Sequence, residues 1–176
     1  YVFEGWWTAA DGEQATAETV VTNDVTYYAK WRGTATVDSY TYTYSVLNGQ
    51  AEIGSSNAWT TAISPKPTGH VAIPSSLGGF PVVGIGAYAF YNCSNLNGVT
   101  IPEDVTTIGE SAFRCCSKLE SVTIPDGVTK IGVWVFDGCH GLTKISVDPA
   151  NTSYMSQDGM LLTKDGRTLV LGVNGV

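Results

Sequence analysis

Residues 84–89 read Gly84-Ile85-Gly86-Ala87-Tyr88-Ala89 and satisfy G-x-G-x-x-A, the pattern that cradles a dinucleotide when it links a strand to a helix. Val82-Val83 precede it, and Glu103 and Asp104 lie near the distance at which an acid would meet a ribose. Twenty-three residues later the chain reads Thr107-Ile108-Gly109, and then Lys130-Ile131-Gly132, so only the second glycine recurs. No crossover helix of adequate length follows, and no cofactor is expected.

Four cysteines raise metal and disulfide chemistry. Cys93, Cys116 and Cys139 are spaced by 23 and share one column of a repeat, where small apolar side chains face inward; free thiols follow. Stacked at strand spacing they come within disulfide range, although stacking alone does not supply the χ3 torsion near 90°. Cys115 is off the column and more exposed. Without CxxC spacing, and with His70 and His140 the only histidines, a zinc site is not expected. His140 follows Cys139 as Ser94 and Ser117 follow their cysteines, which makes it a loop residue and leaves a catalytic triad unsupported. Asp126-Gly127, Asp158-Gly159 and Asp165-Gly166 are turn dipeptides, not clustered calcium ligands. Asn151-Thr152-Ser153 fits a glycosylation acceptor, a motif frequent by chance. No catalytic, cofactor or metal residues are assigned, and the chain is not expected to be an enzyme.

The elements that carry these residues repeat. Ile85, Ile108 and Ile131 keep the 23-residue step, as do Gly86, Gly109 and Gly132, Phe90, Phe113 and Phe136, and Leu96, Leu119 and Leu142. Val99-x-Ile101-Pro102, Val122-x-Ile124-Pro125 and Ile145-x-Val147 each read as one short strand. An earlier copy, Val71-Ala72-Ile73-Pro74, is separated from Ile85 by a connection five residues longer, with the insertion around Gly78-Gly79-Phe80-Pro81. A 23-residue unit cannot bury its apolar positions alone, so the units must stack into a solenoid. Val122 and Ile124 point inward and Ser121 and Thr123 outward, while Phe113, Cys116 and Leu119, three apart, predict a helical turn or irregular arc on the closing face. Thr (21) and Val (19) make up 40 of 176 residues and favour strands.

The pattern IGxxAFxxCxxLxxVxIPxxVxxIG over about residues 71–147 resembles the BspA-like leucine-rich repeat of bacterial surface proteins, and residues 151–162 look like its longer variant. The resemblance implies a β-rich leucine-rich-repeat solenoid, α/β horseshoe-like, with short helical turns on the closing face. It also implies an extracellular or cell-surface location and a host or bacterial surface protein, or a glycan, as partner. Repeat three departs at Val133-Trp134-Val135, where Ala89 and Ala112 become Val135.

Residues 1–33 form a separate unit. Phe3-Glu4-Gly5-Trp6-Trp7, Asp11-Gly12 and Val25-Thr26-Tyr27-Tyr28-Ala29-Lys30-Trp31 resemble the carboxyl-terminal half of a Listeria-Bacteroides repeat, a β-grasp-like surface module. It either folds by itself or packs Trp6, Trp7 and Trp31 on the repeats. Residues 34–70 read as a β-hairpin cap and linker: Tyr40, Tyr42 and Tyr44 alternate, Asn48-Gly49 makes a tight turn, and Ser64-Pro65-Lys66-Pro67 connects onward. The tyrosine row covers the end of the core or forms an aromatic platform for sugar, and capping logic favours the first. Residues 71–176 hold the repeats and a terminal hairpin around Lys164-Asp165-Gly166-Arg167, which caps the last unit or leads into further repeats. Tyr1-Val2-Phe3 at the start, without Met, reads as a piece of a longer protein.

A net charge of −7, from 16 acidic and 9 basic residues without a basic cluster, argues against nucleic acid. No apolar run approaches a membrane span, so no insertion within this fragment is expected. What remains is surface. The open strand face presents His70, Ala72, Gly98, Thr100, Ser121, Thr123, Lys144 and Ser146, and the closing face Tyr88, Tyr91, Arg114 and Trp134. Those last four, aromatic or Arg, are the candidate partner-binding residues. The expectation is a non-catalytic adhesion or protein-binding module, with a carbohydrate-binding or spacer module attached to a secreted enzyme as the alternative.

Overall fold

The computed structural model describes residues 1–8, 14–16, 26–54 and 59–171. Asp11-Gly12 and Val25 of the first unit lie outside the described residues. The chain starts as an antiparallel meander of β1 (Val2–Trp7), β2 (Tyr28–Val37), β3 (Tyr40–Leu47) and β4 (Gln50–Ile53). β2 runs unbroken across residue 33. The β3–β4 turn is Asn48-Gly49 with φ of 49° and 72°, the left-handed pair that a two-residue hairpin requires. Tyr42 and Tyr44 sit in the hydrophobic core, each 1% exposed, with Tyr40 packed against it. β5 (Ile63–Ser64) pairs with β3.

Two parallel ladders then alternate along the repeats. β6 (Thr68–Ala72) belongs to the first; β7 (Ser76–Leu77) and β8 (Phe80–Ile85) fill the long first connection as an antiparallel pair. β9 (Asn95–Thr100), β11 (Ser121–Ile124) and β13 (Lys144–Val147) continue beside β6, separated in sequence by β10 (Thr107–Ile108) and β12 (Lys130–Ile131), which continue beside β8. Each unit therefore carries two strands rather than the one that the sequence pattern predicts. β8 also pairs with β4, Ile53 opposite Ile85, so the meander and the β8–β10–β12 ladder form one sheet.

The closing face differs from the helical turns expected of it. Among the described residues there is no helix. The reason lies in where alternate N–H groups point. Tyr88, Phe90 and Asn92 donate to the carbonyls of Glu110, Ala112 and Arg114 in the next unit, at 3.0, 2.7 and 2.8 Å, while Ala89, Tyr91 and Cys93 donate three residues back within their own. Half of the donors that a helix would use along its axis are spent on the neighbour. Tyr88, Ser111 and Trp134 accordingly have φ of 58°, 54° and 56°, a conformation non-glycine residues hold only where their surroundings enforce it.

The core lies between the ladders and the turns. Phe90, Phe113 and Phe136 stack with centroids 5.0 and 5.6 Å apart and planes within 15°. The inward cysteine column is hydrogen-bonded as well as apolar: the Cys116 thiol donates to the Phe90 carbonyl at 3.2 Å, and Cys139 to Phe113 at 3.1 Å. Hydrogen bonding with Cys139 and Cys93, added to burial, pushes the Cys116 thiol up, keeping it a protonated donor. None of the four cysteines is in a disulfide.

A further unit, where residues 151–162 look like the longer repeat variant, closes the far end. Asn151 stands 23 residues after Val128, and Tyr154 stands 23 after Ile131. The Tyr154 hydroxyl accepts the Ile131 amide at 3.1 Å, and Ser156 Oγ accepts that of Val147 at 3.2 Å, so side chains cover donors on the outer edges of β12 and β13 that an uncapped sheet would expose. β14 (Tyr154–Gln157), β15 (Met160–Thr163) and β16 (Leu169–Leu171) follow as an antiparallel sheet, with β15–β16 the expected terminal hairpin.

Candidate functional site

The dinucleotide-like segment ends β8 and passes directly into turns. Gly86 donates to the Ile53 carbonyl at 2.6 Å, and no helix N-terminus follows to receive a pyrophosphate. Its glycine has a packing role: a Cβ on Gly109 would lie 2.6 Å from Ala87 N, and one on Gly132 would lie 2.5 Å from Glu110 N. Among the described residues no three His, Cys, Asp or Glu side chains group to hold a metal ion. His140 is exposed and Cys115 half-buried.

The closing face assembles an aromatic cluster. Columns 88/111/134 and 91/114/137 each bring one residue per unit into line, about 4.8 Å apart where strands pair. Tyr88 and Tyr91 meet edge to face at 5.8 Å, and both contact Trp59, at 4.9 and 5.6 Å. The Arg114 guanidinium lies 5.5 Å from the Trp59 ring centroid, and its Nε is 2.8 Å from Asp137 Oδ2. The Tyr88 hydroxyl donates to Glu110 Oε1 at 3.2 Å. Three of the four expected residues thus come together. Trp134 does not: Ser111, wholly buried, separates it from Tyr88 in the column, and Trp134 stands 60% exposed beside Val133.

Trp59 is the residue sequence reasoning missed. It lies outside the 23-residue period, in the connection from β4 to β5, so no column marks it.

The open strand face is polar and shallow. His70, Thr100, Ser121, Thr123 and Lys144 are exposed, Gly98 and Ser146 half-buried, and a depression of about 360 Å³ runs over His70, Thr100, Glu103, Ser121, Thr123 and Asp148. His70 Nε2 is hydrogen-bonded to Thr100 Oγ1 at 2.9 Å. A third surface lies on the meander, where Phe3 packs on Trp31 at 5.0 Å and on Trp6 at 5.7 Å. Trp6 and Trp31 remain 51% and 41% exposed, so neither is sealed against the repeats. Trp7 is half-buried beneath Lys30 Nζ, 4.6 Å from its ring.

The chain is similar to several solved bacterial proteins. A leucine-rich repeat protein from Eubacterium ventriosum is 17% identical, with 81% of this chain and 51% of that one covered at a TM-score of 0.34. The pneumococcal vaccine antigen PcpA is 17% identical over 80% and 56%, at 0.39. A leucine-rich repeat protein of T. pallidum is 20% identical over 59% and 67%, at 0.32. The chain spans about half the length of the first two. No curated protein matches it. The family model for the BspA type leucine rich repeat region matches residues 71–159 in six copies, the stretch in which the two ladders, the phenylalanine stack and the further unit were found, and by that match the chain belongs to the BspA type leucine-rich-repeat family.

Proposed function

We propose that this chain is a non-catalytic binding module of a secreted or cell-surface protein, a leucine-rich-repeat solenoid that serves adhesion or protein–protein interaction. Residues 34–70 act as its cap, and residues 1–33 as a partial Listeria-Bacteroides repeat joined to that cap through β2. The observation that carries the reading is the cluster of exposed Trp59 with half-buried Tyr88, Tyr91 and Arg114, the last three on a face whose backbone is locked between units. Aromatics and Arg held rigid are the groups that anchor interfaces, because little side-chain entropy is lost when a partner covers them. The strand face offers small polar side chains and few anchors. Trp134, apart from the cluster, supplies a second contact point on the same face.

Alanine scanning of the 176-residue chain tests this, read as binding to fixed epithelial monolayers. Trp59→Ala and Arg114→Ala are expected to lose most binding, while Ser121→Ala, Thr123→Ala and Lys144→Ala keep it. The reverse pattern would move the site to the strand face. In a broad hydrolase, transferase and redox panel the chain is expected to show no turnover, since no nucleophile, base and oxyanion donor converge among the described residues. A saturable activity lost on changing His140 or Cys115 would overturn that.

The second reading, a carbohydrate-binding or spacer module beside a secreted enzyme, is favoured by the same aromatic cluster. The full-length product separates the two: an anchoring segment supports adhesion, an adjoining hydrolase domain the accessory role.

A further inference from the structure

We infer that the Trp59–Tyr88–Tyr91 cluster is a platform for one face of a neutral pyranose ring, so that the ligand class of the closing face is glycan. This rests on the closing face being the binding surface, and it commits that surface to one chemistry.

Three observations narrow the ligand. First, the rings pack on each other with centroids 4.9, 5.6 and 5.8 Å apart. That spacing is aromatic contact and leaves no slot between the rings into which a partner side chain could insert, whereas protein hot spots are anchors seated in pockets. A ligand must be laid across the cluster, and Trp59, 56% exposed despite these contacts, has ring surface to receive it.

Second, the position that a partner's cation would take is filled from within. Arg114 already lies over Trp59, and Asp137 is paired with that Arg. On that face of the ring, a peptide's arginine or lysine would have to displace both. An acidic ligand fares no better, because Arg114 is neutralised by Asp137, Glu110 stands beside Tyr88, and the chain carries −7.

Third, the polar groups at the cluster's rim suit hydroxyls. Glu110 is engaged through Oε1 and Asp137 through Oδ2. Each carboxylate has a second oxygen able to accept from a sugar hydroxyl, and the Arg114 guanidinium beside Asp137 can donate to one. The axial C–H bonds of a β-glucose ring present a weakly positive apolar face to the negative face of the indole. An uncharged, flat ring with a polar edge is what the arrangement fits.

Saturation-transfer NMR on the full chain tests this, with cellohexaose, maltohexaose, xylohexaose and mannohexaose as probes, and a sulfated oligosaccharide and an arginine-rich peptide as the competing classes. The expected result is transfer to at least one neutral hexaose, strongest at the ring protons of one face, with Trp59→Ala weakening binding at least roughly tenfold, the level of an interface anchor, and Thr123→Ala, exposed on the strand face, leaving it within about twofold. Tyr88→Phe keeps the ring and loses only the Glu110 hydrogen bond, so it reports on the platform even if Trp59→Ala perturbs the loop; it is expected to retain transfer to the sugar's face. No transfer to any neutral hexaose, transfer spread evenly over all protons, or binding indifferent to Trp59 overturns the glycan assignment, and so does preferential binding of the peptide or the sulfated sugar. If Trp59→Ala still abolishes cell binding in that event, the closing-face reading survives; if it does not, both fall.

Discussion

The side-chain amide of Asn151 donates to the backbone carbonyl of Val128 at 2.9 Å, and to that of Pro125 at 2.7 Å, in the unit before it. Its Oδ1 accepts the amides of Ser153 and Tyr154 at 2.8 and 2.7 Å. All four hydrogen-bonding positions of a wholly buried amide are filled, where the two preceding units place Val105 and Val128. A side chain with both amide hydrogens so committed is closed to glycosylation in the folded chain, which gives the Asn151-Thr152-Ser153 motif a structural meaning.

Asn151→Ala is expected to cost about 2–4 kcal/mol, since two buried carbonyls and two amides lose their partner together. Asn151→Asp should cost at least as much, because a carboxylate repels the two carbonyls that the amide served. Urea denaturation monitored by circular dichroism checks both. Losses below about 0.5 kcal/mol would mean that the terminal hairpin is not held by this residue.

Phe113 has a phenyl ring on either side, and Phe113→Ala should cost about 3–5 kcal/mol, the range for emptying an aromatic site in a packed core. Thr123→Ala, on the exposed side of β11, should change stability by no more than about 0.5 kcal/mol. Equal losses in denaturant melts would invert the strand register.

That register was legible in the sequence because a period of 23 and an alternation of two leave one way to turn the apolar residues inward. The inward cysteine column and the Asn48-Gly49 hairpin followed from the same logic. The second ladder did not: Thr107–Ile108 and Lys130–Ile131 are two-residue strands, too short for alternation to show. The unit at residues 151–162 was legible as a longer repeat variant, but the role of its columns was not, because Asn151 and Tyr154 replace Val and Ile there, polar residues that work only through hydrogen bonds no apolar pattern records. Spacing by three left a helical turn and an irregular arc both open for the closing face, because it is common to a helix and a chain of turns, and only the sideways hydrogen bonds separate them. Trp59 reaches Tyr88 across the fold from outside the period.

Gly109→Ala should be destabilising by roughly 1–3 kcal/mol, as an overpacked site is, because its Cβ would stand 2.6 Å from the Ala87 nitrogen and 2.7 Å from the Gly86 carbonyl carbon, both backbone. Gly49→Ala has open space around its Cβ but a φ of 72°, so its cost, on the order of 1 kcal/mol, is conformational. The two are distinguished by Gly49→Asn, which should recover most of the loss, while Gly109→Asn should not.

Burial, with Tyr40 and Asp38 adding to it, pushes the Tyr42 hydroxyl up to about 12. An unfolded tyrosine ionises near 10, so the stabilisation is intact below about pH 10 and is lost as pH rises toward 12, the unfolded chain releasing its proton first. Tyr42→Phe lacks this dependence. Between pH 9 and 11.5 the wild-type urea midpoint should fall further than that of Tyr42→Phe, the difference in stability reaching on the order of 2 kcal/mol. Parallel curves would mean that the hydroxyl is reached by water.

Salt provides the last test of how a partner is held. Arg114 is the cation of the aromatic cluster, and its charge is balanced by Asp137 at 2.8 Å. The potential it projects is therefore small beyond the 8–10 Å over which physiological salt already screens exposed charges. A partner drawn in by charge would associate much faster at low salt and lose affinity steeply as salt rises. One that stacks on Trp59, Tyr88 and Tyr91 has little of that dependence to lose. Association and dissociation rates measured on the intact chain from about 20 to 300 mM NaCl, a range over which the Debye length shortens severalfold, should change by no more than a few-fold. Asp137→Asn unmasks Arg114, and should add salt dependence toward an acidic probe without altering the rings. A steep dependence in the wild-type chain, unchanged by Asp137→Asn, would place the contact away from this cluster.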